Sequence, residues 1–289
     1  MRDGAKNALV VCGPTAAGKS ELADALAEAL AEELGHAVPT VVVDSMQVYR
    51  GLEMISNQAR RRPAELVGVV PVTERWTMAR HREATEAVVG ASGGHFVLDA
   101  GTGMYLNAIL LGTPLAPPVP AEIRDLAQRE VAGAPNPRRA SRERELAIVG
   151  AEGRGSIWHG EPNYRTGILY LRPEKASLDR RIALRSKKIA EEGREEAAVL
   201  KRMVEAGQDV NPSVLESVGV RELLDLLSGS LSLAQAEERL AARTRRLARK
   251  QLRWFDKLAR NLEGLASISV AGSTTEALIL HTMHDTMGA

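Results

Sequence analysis

The eight residues that follow the first apolar run of the sequence are suited to binding phosphate. They match the pattern G-x-x-x-x-G-K-[ST] at every fixed position and are Gly13, Pro14, Thr15, Ala16, Ala17, Gly18, Lys19 and Ser20. The glycines let the backbone curl so that successive N–H groups face one anion, and Lys19 neutralises phosphate oxygens. The Ser20 hydroxyl is suited to holding Mg²⁺, which is the expected cofactor. This phosphate loop predicts a site for a phosphate or diphosphate group.

Two acidic residues, each at the end of an apolar run, are the next candidates for chemistry. Asp44 follows residues 40–43 and Asp99 follows residues 96–98. The C-terminal ends of parallel strands line the ligand crevice of such sheets. Either carboxylate can hold Mg²⁺, as in a kinase, or act as a general base. Because NTPases, small-molecule kinases and some transferases with diphosphate leaving groups share this loop, the reaction and the role of Asp99 stay open at this point.

The pattern of apolar residues predicts the elements that carry these groups. Residues 8–12 form a continuous apolar run typical of a buried strand, and leucines at every fourth position predict a helix from Lys19 to Leu34 that ends at Gly35. Further strands are expected at 40–44, 96–99, 167–171 and 265–270, and helices at 77–89, 104–111, most of 178–262 and briefly after residue 270. Apolar strands separated by helices indicate an α/β fold, a P-loop parallel sheet flanked by helices.

A change of composition marks an insertion in this fold. From about residue 114 to residue 164 the chain is rich in Pro, Gly and Arg, with short helical stretches near 121–131 and 141–149. We therefore expect residues 1–114 and 165–289 to form the core and residues 115–164 to form a small helical inserted subdomain.

The overall composition limits the classes of function. The 289 residues carry a formal net charge of +1, so a nucleic-acid surface must be a local patch. A single cysteine, Cys12, excludes a disulfide framework and a cysteine-based zinc site. The sequence has no apolar run of membrane-spanning length and no signal peptide pattern, so we expect a cytoplasmic protein without a membrane partner. We expect a monomer.

Four further motifs carry a resemblance to a known family. The segment from Asp44 to Gly51 reads D-S-M-Q-V-Y-R-G, and residues 101–106 read G-T-G-M-Y-L. Arg181 and Arg185 stand in an R-I-x-x-R pattern, and residues 244–255 read T-R-R-L-A-R-K-Q-L-R-W-F. Together with the phosphate loop and in this order, these motifs resemble the tRNA dimethylallyltransferases and the related adenylate isopentenyltransferases. The resemblance covers about residues 8 to 257.

The resemblance implies transfer of a dimethylallyl group from dimethylallyl diphosphate to the exocyclic N6 amine of an adenine, in tRNA near the anticodon. This amine is a poor nucleophile and needs a base, a role that the resemblance assigns to Asp44. Lys19 and Thr102 are expected to stabilise the charge that grows on the diphosphate. Arg181 and Arg185 are expected to bind the diphosphate together with the phosphate loop. The implied acceptor-binding residues are Ser45, Met46, Gln47, Arg245 and Gln251.

Some positions depart from the family's motifs and leave alternatives open. The family's D-I-G-T-A-K-P is replaced at residues 53–59, Asp99 stands where the family has an apolar residue, and the acceptor-binding insertion at 115–164 is shortened. These departures keep open a small acceptor, such as adenine, AMP or a secondary-metabolite amine. The phosphate loop with Asp44 and Asp99 keeps open a small-molecule kinase, and a non-catalytic RNA-binding relative is a third alternative. The basic residues of 243–250 favour contact with RNA or diphosphate.

Overall fold

The computed structural model describes residues 6–112, 115–151, 157, 158, 160 and 162–273. Its strands are β1 (Asn7–Cys12), β2 (Thr40–Val43), β3 (His95–Ala100), β4 (Arg165–Leu171) and β5 (Ser267–Ala271). Its helices are α1 (Lys19–Leu34), α2 (Met78–Ala91), α3 (Gly103–Leu110), α4 (Ala121–Glu130), α5 (Pro137–Ile148), α6 (Lys175–Glu192), α7 (Arg194–Glu205), α8 (Pro212–Leu215), α9 (Val220–Leu227) and α10 (Leu233–Asn261). The short helix expected after residue 270 falls mainly on residues outside the described part of the chain.

The five strands form one parallel sheet in the order β2-β3-β1-β4-β5. The apolar residues of β1 to β4 are buried on both faces because helices cover the sheet, which is why these strands lack alternating polar positions. The prediction of an α/β fold with a parallel sheet flanked by helices is confirmed. The central position of β1 brings its C-terminal end, and therefore the phosphate loop, between the ends of β3 and β4.

Helix α1 follows the phosphate loop and packs on the sheet. Its buried leucines, Leu22, Leu26 and Leu30, recur at the predicted spacing of four. Gly18 precedes the helix and Gly35 ends it, and both adopt a left-handed backbone with φ of 94° and 69°. The backbone N–H of Gly35 donates to the carbonyl of Ala31. The predicted bounds of this helix are confirmed.

The predominantly helical region after β4 contains α6 to α10. The longest of these, α10, begins with a capping box in which Ser232 and Gln235 satisfy each other's backbone N–H groups. A small apolar cluster joins α6 and α10 and consists of Leu178, Ile182, Ala241 and Ala248. This packing fixes the face of α10 that meets the phosphate-binding side of the core.

Residues 111–161 form a second compact unit, distinct from the unit made by residues 1–110 and 162–289. Within it, α4 and α5 pack together, and Arg144 of α5 forms an ion pair with Glu130 of α4 at 2.5 Å. The side chain of Asn136 caps α5 by accepting from the backbone N–H of Arg139, and Pro137 opens the helix. Across the part of the chain that the structure describes, no helix is long and apolar enough to cross a membrane.

Candidate active site

The phosphate loop owes its shape to residues that tolerate unusual backbone angles. Gly13 has a φ of 149°, and a Cβ at this position would lie 2.4 Å from the backbone oxygen of Leu171 on β4. Only glycine therefore lets the loop leave β1 this close to the neighbouring strand. Ala16 at the tip of the loop has a φ of 63°, which is uncommon for a residue with a side chain. The loop then runs directly into the N-terminus of α1, where the helix dipole favours an anion.

Lys19 lies inside this loop, where its ammonium group donates to the carbonyl of Pro14 at 2.8 Å. Burial lowers the pKa of Lys19, and the nearby charges of Asp99 and Asp44 oppose that change. The charges of both carboxylates that the sequence singled out therefore favour the charged form of this ammonium. A diphosphate in the loop would add a further anionic partner for it.

Two arginines of α6 reach the phosphate loop. Arg185 donates to the Thr15 hydroxyl at 3.1 Å, and Arg181 donates to the carbonyl of Ala17 at 3.2 Å. The Nε atom of Arg181 is buried without a hydrogen-bond partner. Burial lowers the pKa of Arg185, while the charge of Asp44 raises it. Both guanidinium groups thus line the loop on the side of α6, where an anion would satisfy them.

Asp44 occupies the turn that follows β2. Its Oδ1 atom accepts from the backbone N–H groups of Met46 at 2.8 Å and Gln47 at 3.3 Å. Its Oδ2 atom lies against Gly101, where a Cβ would be only 2.6 Å away. Burial raises the pKa of this carboxyl, and the amide of Met46 and the charge of Lys19 oppose the rise. A carboxylate held in this way, with a raised pKa, has the properties of a general base.

The Gly-Thr-Gly turn after β3 supports the Asp44 turn. The backbone N–H groups of Gly101 and Thr102 both donate to the carbonyl of Val43, at 3.1 and 3.0 Å. The Thr102 hydroxyl accepts from the backbone N–H of Ser45 at 3.1 Å and lies 3.5 Å from the Ser45 hydroxyl. The structure therefore brings Asp44, Ser45 and Thr102 together.

Gln251 of α10 joins the phosphate loop to this turn. Its Oε1 accepts from the backbone N–H of Thr15 at 2.8 Å, and its Nε2 donates to the carbonyl of Gly101 at 2.9 Å. One turn further along, Trp254 packs so closely on Gly103 that a Cβ there would lie 2.1 Å from the indole. The indole N–H of Trp254 donates to the side chain of Asn107 at 3.1 Å. Gln251 thus links the phosphate loop to the Gly-Thr-Gly turn, whose Gly101 lies against Asp44.

The other residues expected to bind the acceptor have different surroundings. The side-chain oxygen of Gln47 is buried without a hydrogen-bond partner. Met46 contributes its backbone N–H to Asp44. Arg245 lies on α10 and forms an ion pair with Asp179 of α6 at 3.7 Å, with 38% of its side chain exposed. Arg245 therefore has a protein partner on α6 and remains accessible to solvent.

The structure also contains a buried cluster that the sequence did not predict. Arg60 donates to the carboxylate of Asp99 at 2.6 Å and to that of Asp24 at 2.7 Å, and the three side chains are at most 4% exposed. The Ser20 hydroxyl donates to the same oxygen of Asp99 at 2.7 Å. Asp24 is an acid on the buried face of α1, four residues after Ser20, and a buried acid requires a partner. The position of Asp24 on this face was therefore the signal in the sequence for a buried ion pair, although the sequence does not reveal which arginine pairs with it.

Comparison with known proteins decides the family. The family model described as IPP transferase matches residues 47–147 and 127–258. The chain belongs to the IPP transferase family. It is 60% identical over 285 residues to the tRNA dimethylallyltransferase of Rubrobacter xylanophilus, covering 97% of this chain and 98% of that relative. It is 31% identical to the tRNA dimethylallyltransferase of Deinococcus radiodurans, over 85% of this chain and 88% of the relative.

Two solved structures share the fold of this chain. A tRNA isopentenylpyrophosphate transferase from Bacillus halodurans matches 98% of this chain and 96% of its own with a TM-score of 0.69 and 22% identity. A eukaryotic dimethylallyltransferase acting on tRNA matches with a TM-score of 0.69 and 20% identity, over 98% of this chain and 77% of its own. The resemblance drawn from the motifs is confirmed, and with it the prediction of a transferase. The family and the relatives reported above do not support the alternative of a small-molecule kinase.

Proposed function

We propose that this chain transfers a dimethylallyl group from dimethylallyl diphosphate to the N6 amine of an adenine in tRNA, near the anticodon. Family membership and the names of its relatives support this proposal. The observation that carries it in the structure is the connection between Asp44 and the phosphate loop. Gln251 bonds to the backbone of both Thr15 in the loop and Gly101, and Gly101 lies against the Oδ2 atom of Asp44. A base for the acceptor and cations for the leaving group therefore share one site.

The phosphate loop, Gly13 to Ser20, binds the diphosphate of the donor in this proposal. Its backbone N–H groups face the anion together with Lys19. Arg181 and Arg185 supply charge from α6, because their guanidinium groups already contact the loop at Ala17 and Thr15. Binding the diphosphate gives these partly buried cations an anion that offsets the cost of their desolvation.

The residues around Ser20 fit a Mg²⁺ ion. The hydroxyl of Ser20 and the carboxylate of Asp99 are oxygen groups of the kind that Mg²⁺ prefers. Among the described residues, no group of three or more His, Cys, Asp or Glu side chains forms a metal cage. Mg²⁺ characteristically binds through few protein ligands, with phosphate oxygens and water completing its shell. Ser20 is the residue that would hold it, and the ion would supply positive charge to the leaving diphosphate.

Asp44 acts as the general base in the proposed reaction. The bond between the adenine N6 and the allylic carbon forms while the bond from that carbon to the diphosphate oxygen breaks. The electron pair of the broken bond leaves with the diphosphate, and Asp44 takes the proton from the amine. Thr102, Lys19 and the two arginines stabilise the negative charge that grows on the diphosphate. Because only ionised Asp44 accepts a proton, we expect the rate to fall as the pH drops through its raised pKa.

The acceptor base is held next to Asp44 by Ser45, Met46 and Gln47. A side-chain amide can form two hydrogen bonds with adenine. The buried side-chain oxygen of Gln47 has no hydrogen-bond donor within the chain, so it is available to accept one from the base. Arg245, which is partly exposed on α10, contacts the RNA, and residues 115–164 form the acceptor-binding subdomain. Gln251 contributes to acceptor binding from its place between the phosphate loop and the Gly-Thr-Gly turn. We propose that a single copy of the chain carries out the reaction.

The substitution Asp44→Asn tests this proposal. Loss of the base is expected to reduce the transfer rate by roughly a hundredfold or more while the affinity for dimethylallyl diphosphate is retained. Asp209→Asn is the matched control, because Asp209 is exposed at the end of a helix-connecting turn. Rates are measured by transfer of radiolabelled dimethylallyl groups to unmodified tRNA. Normal turnover by Asp44→Asn would rule out the role of Asp44 as base.

A further inference from the structure

The buried cluster beside the phosphate loop contains more negative than positive charge. Arg60 lies between Asp24 and Asp99, contacts both carboxylates, and also lies 3.4 Å from the carbonyl oxygen of Ser20. Removing a carboxylate from water is costly unless its partners offset that cost. Asp24 and Asp99 share Arg60, and Asp99 also has a partner in the phosphate loop.

The surroundings of the second carboxylate, Asp99, point toward the phosphate loop. It is the penultimate residue of β3, whose C-terminal end lies beside the end of β1, where the phosphate loop begins. Its Oδ2 accepts the Ser20 hydroxyl at 2.7 Å. Asp99 therefore contacts the residue of the phosphate loop that would hold the metal.

We propose that Asp99 is a positioning residue for the metal ligand Ser20, and this inference rests on the proposed binding of Mg²⁺ and diphosphate. A hydroxyl has one hydrogen and two lone pairs. Because the hydrogen of Ser20 is committed to Asp99, the lone pairs of its oxygen remain available to a cation. A partner that fixes the orientation of a metal ligand in this way typically changes metal affinity by ten- to a hundredfold.

Arg60 and Asp24 have different parts in this arrangement. Arg60 binds the same oxygen of Asp99 that accepts from Ser20, which fixes the direction of the carboxylate. Asp24 contacts Arg60 through its Oδ1 and balances the charge of the guanidinium. Asp24 and Asp99 are equally buried, at 3% exposure, and both are partners of Arg60. Of these two carboxylates, Asp99 is the one that accepts a hydrogen bond from the Ser20 hydroxyl.

This difference provides a matched pair of variants, Asp99→Ala and Asp24→Ala. Each removes one buried carboxylate from Arg60 and leaves the other to balance it, so the two variants should lose thermal stability to a similar degree. Mn²⁺ serves as the probe for the metal site, and inorganic pyrophosphate serves as the probe for the diphosphate. Electron paramagnetic resonance of free Mn²⁺ measures its dissociation constant from the full-length chain with pyrophosphate present, without any turnover.

We expect Asp99→Ala to raise the dissociation constant for Mn²⁺ by about ten- to a hundredfold, with Asp24→Ala within twofold of the unaltered chain. Asp99→Asn, which preserves the volume of the side chain, is expected to give a smaller increase of several fold. Equal Mn²⁺ affinity in the Asp99→Ala and Asp24→Ala variants would overturn the proposal and leave Asp99 a purely structural role. Failure of the unaltered chain to bind Mn²⁺ with pyrophosphate would overturn the proposed donor site as well, so the two failures are distinguishable.

Discussion

Gly101→Ala is expected to disable Asp44 without touching the donor site. A Cβ on residue 101 would lie 2.6 Å from Asp44 Oδ2, whereas ordinary contact begins at 3.4 Å, so the carboxylate must move by about 0.8 Å. The backbone N–H groups of Met46 and Gln47 hold the Oδ1 atom in place. The carboxylate must therefore rotate about that atom, which moves Oδ2 away from its position against Gly101. A misplacement of about 1 Å costs about a hundredfold in rate. We therefore expect kcat to fall by roughly a hundredfold.

Single-turnover transfer of a radiolabelled dimethylallyl group to tRNA measures this effect, with KM for the donor expected to change by less than about threefold. Gly90→Ala is the matched control, because a Cβ at this position in α2 meets no atom within 4 Å. The two substitutions Gly101→Ala and Asp44→Asn should not be additive, since both act on one carboxylate. A Gly101→Ala variant with kcat within twofold of the unaltered chain would refute the placement of the base against this glycine.

Three other predictions concern Arg185 at the phosphate loop, the bridging residue Gln251 and the buried His81. Arg185→Ala should raise KM for dimethylallyl diphosphate by about ten- to a hundredfold, since a charge-assisted hydrogen bond is lost; unchanged KM would contradict this. Gln251→Ala removes two hydrogen bonds and should lower kcat/KM by roughly thirtyfold, which steady-state kinetics would measure. Burial lowers the pKa of His81 to about 4, below that of the unfolded chain. Stability in urea should therefore fall by about 3 kcal/mol as the pH drops from about 6.5 to 4, and a pH-independent midpoint would contradict it.

Local patterns account for the part of the fold that the sequence predicted. The apolar run of β1 and the fourfold spacing of leucines in α1 each depend on neighbours within one element, so they could be read directly. Asp44 was a candidate because an acid after a buried strand must lie at the ligand edge of a parallel sheet. The phosphate loop could be predicted for the same reason, because its pattern lies within eight consecutive residues, Gly13 to Ser20.

Contacts between distant segments account for the part that was not predicted. Arg60 lies 36 residues from Asp24 and 39 from Asp99, so their pairing depends on the path of the loop after β2. Gln251 meets Thr15 and Gly101 across 236 and 150 residues because α10 packs against α6. The sequence motif indicated that Gln251 belongs to the site, but its bridging hydrogen bonds required the packing of the helices.

The identity of the acceptor is the most direct test of the proposed function. Purified protein with Mg²⁺ and radiolabelled dimethylallyl diphosphate is incubated with unmodified tRNA, and in parallel with adenine, AMP or ATP. We predict label in tRNA, at the N6 of an adenine near the anticodon, and its loss in the Asp44→Asn variant. Label in a small acceptor and none in tRNA would contradict the proposed function.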